Sequence, residues 1–456
     1  MAEKEKTVIV NGVHNYSAED GYILPDPRIQ AQLEEFRDLK LALMVHWGLY
    51  NQLGIVASWG LVDAEAAWSR KEDAYGDHPY WIKDGAKIRE MYFDLIHSFN
   101  PVRFDADAWA ELAADCGFRY LLFTTKHHDG FCMWDTKQTD FKVTSPDCPY
   151  SKQENPDIVK QVFDAFRKKN MKIGAYFSKP DWHSQDYWES DVWKNTPTTR
   201  MPTYDVAERP EKWQAFTRFT HKQMEELIRD YGKVDILWLD GGQVTVRDGL
   251  DIKMEEIVPK LREINPDLIV ADRTAGTVFE NYITPEMVIP DEAISVPWES
   301  CLTLGKDFHF VYDDEYKSAS RLLTLLLEIV CKGGNLALNV SPQPDGRFPK
   351  RAQEILQELG RWLKKYGEAI YCTRPCPPYK AQNIFLTQTK THVYAVAKGK
   401  PMCAIPCEQQ ISGVEFLNQN RFVAFRQTAD GIALTEAVET DEEYFVFKLY
   451  KASEQG

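Results

Sequence analysis

Short, continuous apolar runs alternate along most of the chain with segments whose apolar residues recur at helical spacing. The runs are LALMVHW (41–47), RYLLFTT (119–125), KIGAYFS (172–178), VDILWL (234–239), LIVA (268–271) and NLALNV (335–340). The helical segments lie near 109–116, 158–166, 213–228, 254–261, 322–330 and 355–363. Strands covered by helices on both faces have such apolar runs, so the alternation predicts parallel β-α units.

The number and character of these units predict the fold class. Six units, with no glycine-rich phosphate loop after the first strand, favour a (β/α)8-like barrel over a doubly wound sheet. Residues 274–314 are rich in loops, and the pattern assigns no helix or strand to them. Near residue 370 the pattern changes to short alternating runs at 391–397 and 444–450, with turn signals between them. We therefore predict an α/β protein with a barrel domain over 1–368 and a small antiparallel β-sandwich domain over 369–456.

Composition and charge narrow the classes of molecule that this chain is expected to bind. The chain has 456 residues and a formal net charge of −15, which disfavours binding to nucleic acids and to anionic membranes. No apolar stretch is long enough to span a bilayer. The N-terminal segment MAEKEKTVIV is charged and has no apolar signal region. The sequence assigns no cellular compartment. The 13 Trp, 21 Tyr and 23 Phe suit a carbohydrate site, because aromatic rings pack against the C–H faces of sugars.

Nine scattered cysteines are typical of buried thiols in a large chain. Two pairs, Cys372 with Cys376 and Cys403 with Cys407, are each separated by three residues, so a structural zinc site or disulfide bonds remain alternatives.

Polar and aromatic residues cluster where the predicted strands end. They are His46 and Trp47, then His127, His128 and Asp129, then Tyr176, Asp181 and Trp182, then Trp238 and Asp240, and finally Asp272 and Arg273. Since the carboxyl ends of barrel strands meet at one face, these residues predict a single polar cup with aromatic walls. Imidazole and guanidinium groups can bind ring hydroxyls, so the cup is typical of a monosaccharide pocket.

Two kinds of carboxylate are candidates for the chemistry of glycoside hydrolysis. Asp240 follows an apolar strand and precedes Gly241 and Gly242, so its carboxylate is expected at the rim, where it can attack an anomeric carbon. The partner acid is either Glu286 or Glu299, one of which needs a raised pKa to protonate the leaving oxygen. The aromatic Trp298 beside Glu299 favours partial desolvation of that carboxylate.

These stretches together resemble glycoside hydrolase family 29, the α-L-fucosidases. The matching motifs are HWGLY (46–50), TKHHDGF (125–131), GAYFS (174–178) with Asp181 and Trp182, LWLDG (237–241), Asp272 with Arg273, and GNLALNVSP (334–342) with Asp345 and Gly346. They occur in the family's order and cover residues 39–349. The resemblance implies a barrel with a C-terminal β-sandwich and an exo-acting, retaining α-L-fucosidase. Its substrates would be fucosylated oligosaccharides or glycoconjugates.

The resemblance also implies roles for individual residues. Asp240 would be the nucleophile, and Glu286 and Glu299 match the acid/base positions of two branches of the family, with a slight preference for Glu286. The expected substrate contacts are His46, Trp59, His127, His128, Tyr176, Trp238, Arg273 and Trp298. No metal or organic cofactor is expected.

Two alternatives to an α-L-fucosidase remain from the sequence. Many relatives have a Glu directly before the pocket Trp, whereas this chain has Ala57 and Ser58 before Trp59. An L-sugar-binding homologue with little or no activity, or a hydrolase for a related L-sugar, is therefore an alternative. A metal-dependent hydrolase with His46, His127 and His128 as zinc ligands is disfavoured, because adjacent residues on a strand point in opposite directions.

Overall fold

The computed structural model describes residues 7–10, 14–17, 22–65, 69 and 82–452. Residues 1–6 of the charged N-terminal segment lie outside this range. Near the N-terminus, β1 (Thr7–Val10) and β2 (His14–Ser17) pair as an antiparallel ribbon. Along the described chain, no helix is both long and apolar enough to cross a membrane.

A parallel sheet of seven strands forms the centre of the described structure. The strands are β3 (Leu41–Val45), β4 (Tyr120–Lys126), β5 (Lys172–Ser178), β6 (Ile236–Asp240), β7 (Ile269–Asp272), β8 (Glu299–Thr303) and β9 (Asn335–Asn339). Their order is β7-β6-β5-β4-β3-β9-β8, and every pairing is parallel. The barrel-like α/β prediction is confirmed, and β8 lies in the stretch that the pattern left unassigned.

The two edge strands of this sheet, β7 and β8, are joined by the irregular segment 279–287. Glu280 forms an antiparallel bridge with Ala271, and Ile283 forms a parallel bridge with Trp298 just before β8. Glu286 then bridges Cys301 within β8. The segment thus takes the position of an eighth strand without regular pairing, which is why no apolar run marks it in the sequence.

Helices connect the strands. They are α1 (Pro27–Leu39), α2 (Gly85–Asp94), α3 (Ala106–Asp115), α4 (Ile158–Lys168), α5 (Ser190–Trp193), α6 (Pro210–Asp230), α7 (Met254–Ile264), α8 (Ala319–Cys331) and α9 (Lys350–Tyr366). Asp157 caps α4 by accepting a hydrogen bond from the Lys160 amide, as its position predicts. Helix α1 contributes Ile29, Leu33 and Phe36 to the apolar cluster inside the barrel.

The C-terminal part forms antiparallel sheets, as predicted. Strands β10 (Arg374–Ala381), β11 (Ile384–Gln388), β12 (His392–Lys398), β13 (Ile411–Phe416), β14 (Arg421–Phe422) and β17 (Tyr444–Lys451) make one sheet in the order β10-β11-β12-β17-β13-β14, and β15 (Phe425–Thr428) pairs with β16 (Gly431–Leu434). Phe385 and Val446 on one face join the main core, whereas Phe447 and Ile432 belong to a separate core. The boundary between residues 368 and 369 stays a prediction.

All nine cysteines are free thiols, so the disulfide alternative is wrong. Cys376 and Cys407 are buried in the separate core of the C-terminal sheet, whereas Cys372 is exposed. Among the described residues, neither Cys pair belongs to a group with metal-ligand geometry.

Candidate active site

Six of the predicted site residues meet at the carboxyl-terminal face of the sheet. His46 follows β3, His127 and His128 follow β4, Tyr176 lies in β5, Asp240 ends β6 and Arg273 follows β7. The rings of His46, His127 and Tyr176 have centroids within 6 Å of one another. These six residues form a cup, as the strand ends predict. Four other strand-end residues are engaged elsewhere: Trp47 packs against Trp109, Asp129 accepts from Tyr92, Asp181 from Lys126 and Asp272 from Lys179.

Asp240 lies at the centre of a hydrogen-bond network. Its Oδ1 accepts from Arg273 Nη1 at 2.8 Å, its Oδ2 accepts from the Tyr176 hydroxyl at 2.6 Å, and His128 Nε2 lies 3.7 Å from Oδ2. The next residue, Gly241, has a φ of +94°, and a Cβ there would lie 2.2 Å from Pro180 Cδ. Glycine is thus required to end β6 with the carboxylate in this position.

The electrostatic environment keeps Asp240 ionised. Burial alone would raise the pKa of its carboxyl group. The charge of Arg273, the proximity of His128, and the hydrogen bonds from Tyr176 and the Gly241 amide together lower this pKa far below its usual range. The side chain is 20% exposed, so the charged carboxylate is accessible from one side.

Arg273 is the shared partner of two carboxylates. Besides Asp240, it donates from Nη2 to Glu286 Oε2 at 2.6 Å and from Nε to Thr284 Oγ1 at 3.1 Å. Its guanidinium also lies over the Trp238 ring, 4.3 Å from the centroid. The Glu286 side chain is 41% exposed, so it is held at the open side of the cup.

The three histidines of the cup are neutral at neutral pH. Burial lowers the pKa of His46 and of His128 to about 4 and lowers that of His127 well below its usual value. His46 Nδ1 donates to Asn339 Oδ1 at 2.8 Å, because the Asn339 amide nitrogen donates to Phe308 O and so fixes the orientation of the amide. His46 Nε2 therefore presents a lone pair, which can accept a hydrogen bond from a hydroxyl group.

The upper wall of the cup comes from the 3-10 helix Ser58–Leu61. Ser58 Oγ shares a hydrogen bond of 2.5 Å with His127 Nδ1. Trp59 lies edge-on to His128, with ring centroids 5.0 Å apart. Among the described residues, His128 Nδ1 is buried without a hydrogen-bond partner.

The geometry corrects the sequence argument about metal binding. His127 and His128 do not point in opposite directions: their ring centroids are 4.4 Å apart, because β4 ends at Lys126 before either residue. Ligand atoms of these two residues and of Asp240 lie within 4.8 Å of one another. Both oxygens of Asp240 are nevertheless already bound, one of them by a permanent cation, and a second cation beside Arg273 would be repelled.

Two predicted residues, Glu299 and Trp298, lie outside the cup. Strand β8 begins at Glu299, which places both residues at its amino-terminal end, away from the face that carries Asp240. The sequence pattern placed both residues in a loop-rich stretch at the rim of the cup. In the structure a strand begins at Glu299 instead. Trp298 belongs to the core between sheet and helices, where its Nε1 donates to Lys332 O at 3.3 Å and its ring lies against Gly334.

Glu299 lies inside the barrel beneath Trp238. It is 1% exposed and accepts hydrogen bonds from the Tyr120 hydroxyl at 2.5 Å and from Trp238 Nε1 at 3.1 Å. Burial raises its pKa to about 7, although these hydrogen bonds and the charge of Arg273 oppose the shift. Since Trp238 stacks on Tyr176 and supports Arg273, Glu299 anchors the floor of the cup and not its rim.

The family assignment follows from comparison with known proteins. A family model described as Alpha-L-fucosidase matches residues 16–368, most of the chain. The chain belongs to the alpha-L-fucosidase family. The plasma alpha-L-fucosidase of Rattus norvegicus is 27% identical over 397 residues, which cover 84% of this chain and 79% of that protein. The alpha-L-fucosidase of Dictyostelium discoideum is 25% identical over 369 residues, covering 76% and 73%.

Solved structures of alpha-L-fucosidases share the fold. Isoenzyme 1 from Paenibacillus thiaminolyticus superposes with a TM-score of 0.75 at 25% identity, over 93% of this chain and 100% of that one. A family 29 enzyme from Bacteroides thetaiotaomicron, trapped as a covalent intermediate with 2-fluoro-fucosyl fluoride, superposes with a TM-score of 0.72 at 23% identity, over 92% and 95%.

The sequence pattern did not predict three residues that contact the predicted site residues. Ser58 and Thr284 each bond a predicted site residue, and Asn339 orients His46. Asn339 lies in the NLALNV run at the end of a predicted strand, so its position at the rim could have been noticed. Ser58 and Thr284 lie in segments without a repeating pattern, which left no signal for their contacts.

Proposed function

We propose that this chain is an exo-acting, retaining α-L-fucosidase that hydrolyses terminal α-L-fucosyl linkages of glycans. The observation that carries the proposal is the joint binding of Asp240 and Glu286 by the single guanidinium of Arg273. Two carboxylates bound by one guanidinium, one ionised and the other more exposed, suit double displacement, in which the two groups lie about 5–5.5 Å apart.

In the first step, Asp240 is the nucleophile. Its carboxylate attacks C1 of the fucosyl residue while Glu286 donates a proton to the glycosidic oxygen. The bond from C1 to the leaving oxygen breaks, and an ester between C1 and Asp240 forms. Hydrogen bonds from Arg273 and Tyr176 keep the attacking carboxylate oriented and charged.

In the second step, Glu286 acts as the base. It removes a proton from a water molecule, whose oxygen attacks C1 and displaces Asp240. Two inversions at C1 leave the released fucose with the anomeric configuration of the substrate. The Bacteroides thetaiotaomicron relative described above was trapped as a covalent intermediate, which is the species that this route requires.

The neutral histidines are proposed to bind the sugar. A neutral imidazole can donate from one nitrogen and accept at the other, which matches the dual character of a hydroxyl group. His46, His127 and His128 offer such nitrogens from two adjacent strands, and Trp59 and Trp238 supply the apolar walls.

Glu286 is preferred over Glu299 as acid/base on accessibility, although Glu299 is the carboxyl group whose pKa burial raises. The acid must reach the leaving oxygen, which lies on the solvent side of the sugar. Glu286 has a 41% exposed side chain, whereas Glu299 is enclosed by Tyr120, Tyr282 and Trp238. We assign Glu299 a structural role.

Turnover of an aryl α-L-fucoside, with the anomer of the first-formed fucose followed by NMR, tests the function. We expect release of the phenol and an initial α-anomer. Incubation with 2-deoxy-2-fluoro-fucosyl fluoride and peptide mapping then tests the nucleophile, with the label expected on the peptide that contains Asp240. Binding without turnover, or turnover only of another L-glycoside in a matched panel, contradicts the proposal, as does an initial β-anomer.

A further inference from the structure

We propose that a cleft beside the cup binds the glycan to which the fucose is attached. This inference rests on the proposed function. The cleft has a volume of about 420 Å³ and is lined mainly by Phe310, Tyr312, Asp314, Tyr316, Gln343 and Asp345. This volume lies in the range of small-ligand sites.

The cleft opens at the same face as the cup. One wall comes from the segment after β8 and the other from the segment after β9, the strand that pairs with β3. Phe308 connects the two regions, because its ring lies 5.1 Å from that of His46 and its carbonyl accepts from Asn339. A glycan leaving the cup on the His46 side therefore enters this cleft.

Tyr312 supplies an aromatic surface for a sugar ring. It is 56% exposed, which is unusual for a ring of this size. Its hydroxyl donates to Gln52 O at 3.3 Å, its ring lies against Gly54, and Phe310 meets it edge-on at 5.0 Å. The ring is thus held in place, so little conformational entropy is lost when a sugar stacks on it.

The polar groups of the cleft fit hydroxyl groups. Asp314 is a hydrogen-bond acceptor, and the Gln343 amide can both donate and accept. On the wall that carries Gln343, Asp345 is bound by Arg347, whose Nη2 donates to it at 2.6 Å. Donors and acceptors thus occur together at the cleft, which suits the dual character of sugar hydroxyls.

The test compares substrates that differ only in what occupies the cleft. α-L-Fucosyl fluoride has a leaving group too small to reach it, whereas neutral fucosyl-oligosaccharides of several linkages fill it. The measured quantity is the ratio of kcat/KM for an oligosaccharide to kcat/KM for the fluoride. We expect this ratio to fall when residues of the cleft are replaced.

Variants on each wall test whether both walls bind the glycan. Tyr312→Ala is expected to lower the neutral-oligosaccharide ratio about tenfold, whereas Tyr312→Phe keeps it within about threefold. Gln343→Ala, on the other wall, is expected to lower the ratio also. Phe422→Ala is the matched control, because Phe422 is a 63% exposed aromatic residue on the C-terminal sheet, and the ratio should not change.

The outcomes distinguish this inference from the function on which it rests. If the wild type does not hydrolyse fucosyl fluoride, the proposed function is contradicted and the inference with it. If it hydrolyses the fluoride but Tyr312→Ala leaves the ratio unchanged, the inference alone is wrong. A loss in Tyr312→Ala with none in Gln343→Ala also contradicts a cleft with two binding walls.

Discussion

One guanidinium binds both carboxylates of the cup: Arg273 donates to Asp240 Oδ1 at 2.8 Å and to Glu286 Oε2 at 2.6 Å. The Asp240 side chain is 20% exposed and the Glu286 side chain is 41% exposed. Asp240 also accepts a hydrogen bond from the Tyr176 hydroxyl, which binds its second oxygen, whereas Glu286 lies closer to solvent. This asymmetry gives the two carboxylates different proposed roles.

Removal of the proposed nucleophile should abolish turnover. We expect Asp240→Ala to lower kcat at least about 10³-fold. Added azide should restore turnover and give β-L-fucosyl azide, since it attacks C1 from the vacated side. Asp230→Ala, on the exposed end of α6, should keep wild-type kcat. Near-normal turnover in Asp240→Ala, without an azide product, would show that another group is the nucleophile.

The proposed acid should matter most for poor leaving groups. We expect Glu286→Ala to lower kcat/KM about 10²–10⁴-fold for a fucosyl-oligosaccharide. For a dinitrophenyl fucoside, whose leaving group needs no proton, we expect a loss of less than about tenfold. Glu299→Gln should affect both substrates equally. If Glu299→Gln instead shows the dependence on leaving group, the two assignments must be exchanged.

The hydrogen bond from the Tyr176 hydroxyl to Asp240 should contribute to catalysis and not to the stability of the fold. Tyr176→Phe removes a 2.6 Å hydrogen bond to a charged group, so we expect kcat to fall about 10–100-fold. Tyr231→Phe is the matched control, because Tyr231 donates to Asp157 at the same distance but outside the barrel. It should lower Tm and leave kcat unchanged. Equal kcat in the two variants would refute a role for Tyr176 in the chemistry.

Glu299 should make stability depend on pH. Burial raises its pKa from 4.5 to about 7, so the folded protein holds this proton more tightly than the unfolded chain. The resulting stabilisation is complete below about pH 4.5 and is lost as the pH rises through 7. We expect Glu299→Gln to gain up to about 3 kcal/mol in unfolding free energy, relative to wild type, between pH 4.5 and pH 8. Urea unfolding at both pH values measures this gain, and a constant difference would contradict the raised pKa.

Chelation should not inactivate the protein. His127, His128 and Asp240 form a group that could hold an ion, but Arg273 and Tyr176 already bind both Asp240 oxygens. We expect dialysis against EDTA to leave kcat/KM for an aryl fucoside unchanged. A loss that zinc reverses would favour the metal-dependent alternative.

Local patterns predicted six of the seven strands of the sheet and six of the nine helices named above. Each of these six strands is covered on both faces, so its apolar run is visible in the sequence, and the polar residue that follows it marks the rim. His46, His127, His128, Asp240 and Arg273 were placed at the rim in this way. Segment 279–287 was missed, because bridges to two different strands need no repeating pattern of their own. Strand β8 (ESCLT) was missed because three of its five residues are polar, so it has no apolar run.

The sequence by itself determined which chemistry is available: a carboxylate, three histidines and an arginine placed at strand ends, since strand direction alone brings those ends to one face. Only the tertiary structure showed that Glu286, and not Glu299, binds the guanidinium that also binds Asp240. Glu286 and Glu299 are thirteen residues apart in one loop-rich stretch. Whether a carboxylate lies at the rim or beneath Trp238 depends on where β8 begins, which is set by pairing with β9, a contact between residues far apart in the chain.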